Sequence, residues 1–134
     1  MKLHQIALAA AAASVASLAF AGASLAASSE EKLAQYQPTG KTVNCLDTYQ
    51  IKATDVIDNQ NILFRTNGNT LYMNHLPHRC SGLKMQDGFS STLRGLNTLC
   101  NVDVITPIST GGAVYGPCPL GEFEEVTKAG KPAQ

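Results

Sequence analysis

Ile62-Leu63-Phe64-Arg65-Thr66-Asn67-Gly68-Asn69-Thr70-Leu71-Tyr72-Met73-Asn74 is the stretch on which the fold turns. Two apolar runs flank an Asn-Gly pair. That pair suits a type I′ turn, in which both central residues need positive φ, so the segment predicts a β-hairpin. Upstream, Tyr49, Ile51 and Ala53 alternate with Gln50, Lys52 and Thr54, the period-two pattern of a half-buried strand. Between them Asp58-Asn59-Gln60-Asn61 is turn chemistry, because Asx side chains bond their own backbone. A three-stranded meander is expected.

Downstream, His75–Gly88 is irregular, with Pro77, Gly82 and Gly88 and a short turn at Leu83–Met85. Phe89–Arg94 reads as a fourth strand, Val102–Pro107 as a fifth and Phe123–Thr127 as a short closing one. Ile108–Pro119 is a Gly/Pro-rich loop. Five to six short strands with frequent turns predict a mainly β domain. The expected form is a small antiparallel barrel or roll, OB-like or SH3-like, with an open two-layer sheet as the alternative. Residues 43–127 form this single domain, 27–42 a flexible N-terminal arm and 128–134 a disordered tail.

The averages conceal an uneven chain. Of 17 alanines among 134 residues, 12 lie in the first 27 positions. Lys2 precedes Ile6–Phe20, a run of 15 residues without charge, and small residues follow as far as Ala27. That order is the one a signal peptide has, with cleavage expected after Ala26, removing residues 1–26, and after Ala23 as the second choice. The run is shorter than the roughly 20 residues a membrane span needs, so no span is expected after cleavage. The address is then the periplasm, or secretion. Ten Lys and Arg balance ten Asp and Glu, which argues against a nucleic-acid partner. A monomer is expected.

Four cysteines suit that address. Cys45, Cys80, Cys100 and Cys118 are an even set in a short exported chain, and they predict two disulfides. Their spacings of 35, 20 and 18 residues contain no CxxC, against both a redox pair and a zinc ribbon. Three pairings are possible. A barrel that joins its ends brings Cys45 to Cys118 and leaves Cys80 for Cys100; Cys45–Cys80 with Cys100–Cys118 would suit an open sheet.

Cys45 opens the first strand. Asn74-His75-Leu76 leads to Cys80-Ser81-Gly82-Leu83, then come Leu99-Cys100-Asn101-Val102-Asp103-Val104-Ile105 and Cys118-Pro119-Leu120-Gly121-Glu122-Phe123. In these motifs the chain resembles a family of small exported proteobacterial proteins known only as a domain of unknown function. The resemblance covers about Cys45 to Phe123. Ser81 stands where the pattern has proline, which bears on local turn geometry alone. The resemblance implies a fold and an exported address, and supplies no catalytic residue.

Candidate chemistry is sparse. His75-x-x-His78 with Cys80 has the residue types of a metal site or a cysteine nucleophile, but Pro77 denies the segment a helical face and a disulfide removes the thiolate. Asp103, set between apolar neighbours, suits either a buried acid or a turn anchor, and the turn anchor is expected. Asp55 and Asp58 read as turn residues, and Glu122, Glu124 and Glu125 as a solvated edge. Lys52, Arg65, Arg79 and Arg94 near Tyr49, Tyr72 and Tyr115 would form a stacking face only if the barrel were OB-like. Gly111-Gly112 lacks the Lys-Ser/Thr of a phosphate loop. Hence no catalytic, cofactor or metal site is assigned. The expected function is a non-catalytic binding or structural module of the cell envelope, with an unknown envelope protein or small ligand as partner. The alternative is a proteinaceous inhibitor of an envelope or host hydrolase of lysozyme type, and a small enzyme comes last.

Overall fold

The computed structural model describes residues 28–130. The leader expected at 1–26 and the last residues of the expected tail lie outside them. Ten strands and three short helical segments make up the described chain: α1 (Ser29–Ala34), β1 (Tyr36–Val43), β2 (Cys45–Asp47), a 3-10 turn (Thr48–Gln50), β3 (Ile51–Val56), β4 (Asn61–Thr66), β5 (Leu71–His75), α2 (Leu83–Gln86), β6 (Phe89–Thr92), β7 (Thr98–Cys100), β8 (Val104–Pro107), β9 (Cys118–Pro119) and β10 (Phe123–Lys128).

The meander forms as expected. β3, β4 and β5 pair antiparallel, with Phe64 opposite both Thr54 and Tyr72. The turn between β4 and β5 differs from the expected type I′. Asn69 donates to the Thr66 carbonyl, and Asn69 alone of the turn residues has positive φ, 61°. This is a type I turn closed by a left-handed residue, the three-residue hairpin loop, and asparagine tolerates that conformation.

β10 joins the outer side of β5 and β1 the outer side of β10, giving a five-stranded antiparallel sheet in the order β1-β10-β5-β4-β3. The sheet is open; among the described residues no closed barrel forms. β1 shows why an edge is tolerated there: it carries Pro38 and Gly40, and its register against β10 shifts between Pro38 and Thr42. A proline and a bulge both blunt an edge.

The arm expected at 27–42 is therefore a correction. Ser28 and Glu31 make a capping box that starts α1, and β1 pairs with β10 at Tyr36–Pro38 and again at Thr42 and Val43. Neither element has the alternating apolar pattern that the sequence reading relied on. Lys128 also belongs to β10 and not to a tail.

Both faces of the sheet are covered. On one, Ile62, Phe64 and Phe123 pack under Leu46, Leu76, Leu83, Leu99, Ile105 and Leu120 from the rest of the chain. Phe64 and Phe123 meet edge to face with ring centroids 5.3 Å apart. On the other, Leu63, Met73 and Val126 form a stripe packed by Leu33 of α1 and by Tyr36. Alternate residues of β4 thus serve two cores, which is why its burial is nearly continuous.

The covering lobe consists of a two-stranded sheet, β2-β7, and a three-stranded one, β6-β8-β9. Cys45 stands directly opposite Cys100 across β2 and β7, and the two are bonded with Cα atoms 4.0 Å apart. Cys80 bonds Cys118, with Cα atoms 5.8 Å apart. Two disulfides are present as expected, but the pairing Cys45–Cys118 with Cys80–Cys100 is overturned. That pairing required a closed barrel; instead Cys45 begins a separate short ribbon, and Cys118 in β9 returns over the irregular segment that holds Cys80.

Candidate functional site

The fold places the titratable candidates one by one, and most are absorbed by architecture. Asp103 is fully buried, in the turn before β8 and not within it as the sequence suggested. Its carboxylate accepts from the amide of Arg94 at 3.0 Å and from that of Cys100 at 2.7 Å. Its own backbone donates to Cys100 and accepts from Leu120. The side chain thus ties the loop after β6 to the end of β7, and the backbone carbonyl adds the approach to β10. A buried carboxylate is stable when such donors meet it. The turn-anchor reading of Asp103 describes this geometry.

Asn74, also fully buried, grips Gly121 at both backbone atoms: its amide donates to the carbonyl at 2.7 Å and accepts from the N–H at 2.9 Å. A side chain at Gly121 would run into the carbonyl of His75, so glycine is required by close approach. The sequence offered no signal for this pair.

His75 and His78 do not converge. His75 is exposed and lies between Asn61 on β4, bonded through Nδ1, and Glu124 on β10, 3.1 Å from Nε2. Asn61 is turned by Asp58, whose two carboxylate oxygens accept from the Asn61 side-chain amide at 3.0 and 2.9 Å. His78 lies exposed in the loop beyond Pro77. Cys80 is buried and disulfide-bonded. Among the described residues no group of three His, Cys, Asp or Glu is arranged to hold a metal ion.

The remaining charges lie apart. Arg65 donates through Nε to Asp55 at 2.8 Å, and this carboxylate raises the guanidinium's pKa above its ordinary value. Glu124 and Glu125 point to opposite faces; Glu125 faces Tyr72 across the strands. Tyr72 is half-buried, and burial, helped by Glu125, raises its phenol pKa. Arg79, Arg94, Lys52 and Glu122 are exposed.

What the sequence reading missed is a pair of exposed apolar tips on anchored loops. Leu96 is 93% exposed in the loop between β6 and β7. That loop is clamped at both ends: Asp103 holds the Arg94 amide, and the Asn97 carbonyl accepts from the amide and hydroxyl of Thr48 at 2.9 and 3.0 Å. Tyr49, 75% exposed, follows Thr48 immediately, so the two apolar residues flank one contact.

The second tip, Val114, is 96% exposed in the Gly/Pro-rich loop. Its neighbour Tyr115 lies against Gly82, where any side chain would collide with the ring, and its hydroxyl accepts from Gln86 at 3.2 Å. Cys118 then pins the end of the loop to Cys80. The only signal for either tip in the sequence is an aliphatic residue inside turn-forming company, Leu96 between Gly95 and Asn97, and Val114 between Gly111-Gly112 and Gly116-Pro117.

No helix among the described residues is long and apolar enough to cross a membrane. No curated protein and no solved structure matches the chain. A family model does match, over residues 2–131, nearly the whole length, and by that match the chain belongs to DUF6491, a family of unknown function.

Proposed function

We propose that this protein is an exported, non-catalytic binding module of the cell envelope, acting in the periplasm or after secretion, and that it engages a protein partner through its two anchored loops. The observation that carries this reading is Leu96, almost fully exposed on a loop whose ends are fixed by the buried Asp103 and by Thr48. Ordering a loop before binding lowers the entropy lost on association, and apolar anchors supply most of the energy of an interface. Two disulfides agree with an oxidising compartment. The leader pattern at 1–26 supports export.

A photocrosslinking residue at position 96, and separately at 114, tests the reading in cells that export the protein. A discrete adduct from these positions, absent when the probe replaces exposed Lys52, is the expected result. Adducts of equal yield from all three positions, or none, would remove the proposal. Fractionation with intact-mass measurement checks export, with a product beginning near Ala27.

The second reading, an inhibitor of a lysozyme-type hydrolase, draws on Val114 and the stapled loop that carries it. A muramidase assay separates the two. Inhibition lost in Val114→Asp but kept in Leu96→Asp would favour the inhibitor.

A further inference from the structure

Away from the two loops, a groove of about 430 Å³ runs between α1, the edge strand β3 and α2, and four cations line it: Lys32, Arg65, Lys84 and Lys128. Residues 28–130 hold eight Lys and Arg against ten Asp and Glu, so half the cations of a net-negative region gather at one depression. The two carboxylates there do not cancel them. Asp55 is committed to Arg65, and Asp87 is left against three lysines.

Their ammonium groups are underused. Lys84 donates to the Val56 carbonyl at 2.8 Å and keeps two further hydrogens. Lys32 is half-buried, and neither it nor Lys128 takes part in an ion pair or side-chain hydrogen bond among the described residues. Like charges held together with too few counter-charges repel, and an anion that bridges them relieves the repulsion. Several ammonium donors around one depression match an anion carrying at least two charges on clustered oxygens, which is a phosphate group. Tyr36 and Gln35, also in the lining, add neutral donors.

We propose that this groove binds a multiply charged phosphate, borne either by a soluble compound or by a lipid headgroup. The claim is independent of the loop-mediated partner, since the groove shares no residue with either loop.

The test uses the oxidised protein and two probes, inorganic pyrophosphate in solution and phosphatidylcholine vesicles containing phosphatidic acid. Titration calorimetry and vesicle co-sedimentation are run on the parent, on Lys32→Ala/Lys128→Ala and on Lys41→Ala/Lys52→Ala, which removes two exposed lysines outside the groove. Saturable binding of either probe, weakened at least tenfold by the first pair and less than twofold by the second, is the expected result. Loss of binding between 20 and 500 mM salt should accompany it, roughly as screening requires. Response to pyrophosphate identifies a soluble phosphate, and response to vesicles alone a headgroup. Failure to bind either probe, or equal weakening by both pairs while both variants unfold at the parental temperature, would overturn the site.

Discussion

The five-stranded sheet and the lobe that covers it share one apolar core but are held in different ways. In the sheet, β4 and β5 are regular, long enough to pair over five positions, and nearly every side chain is used for packing. In the lobe, β2 and β7 have three residues each and β9 has two. Ladders that short contribute little by themselves. Single contacts replace them: two disulfides, the carboxylate of Asp103 and the amide of Asn74. The sheet is specified by a pattern spread over many residues, whereas the lobe depends on a few.

This contrast predicts which changes do most harm. Phe64→Ala, at the centre of the shared core, should cost about 3–5 kcal/mol in chemical denaturation, because it leaves a cavity under both regions. Replacing Cys80 and Cys118 together by serine should cost roughly 2–5 kcal/mol, with the loss of protection concentrated in α2, β8 and β9. If that loss spread evenly through the sheet, the division between the two regions would be broken. Asp103→Asn should cost about 1–3 kcal/mol, because the amides of Arg94 and Cys100 are held by different carboxylate oxygens and asparagine would set its NH2 donor against one of them. An alanine at exposed His75 or His78 should change stability by no more than about 0.5 kcal/mol.

The smallest effect concerns pH. Burial keeps Tyr72 neutral, so its folded pKa lies above the unfolded value near 10.0. That contribution is complete below the unfolded pKa and is lost as pH rises through the folded one. Tyr72→Phe should therefore flatten the alkaline fall in melting temperature and leave the neutral range alone. An unchanged alkaline limb would assign the fall to other groups.

How far each region could be read in advance follows the same division. The hairpin of the meander was legible because the Asn67-Gly68 pair is a local signal. The alternation in Tyr49–Ala53 found only the start of β3: Tyr49 and Gln50 form the 3-10 turn, and Tyr49 and Ala53 are exposed. β1 was not, because Pro38, Gly40 and Lys41 are edge devices that resemble loop chemistry until a partner strand is present. The disulfides were legible as a pair, and their connectivity was not. Spacing is silent about which ribbon a cysteine opens, and the barrel assumed for the sheet led to the wrong answer. Asp103 was legible as a buried carboxylate, though its three-way contact was not. Leu96, Val114 and the cationic groove escaped altogether. Lys32, Lys84 and Lys128 are far apart in sequence and meet only because α1 crosses one face of the sheet while α2 packs beside β3.

Hydrogen exchange on the oxidised and the fully reduced protein, followed residue by residue, tests this division most directly. The account predicts that reduction strips protection from Thr98–Cys100, Asp103, Val104–Thr106 and Leu120, while Leu63, Phe64 and Met73 in the sheet retain most of theirs. Equal loss at both sets of amides would contradict it, since the lobe and the sheet would then stand or fall as one unit.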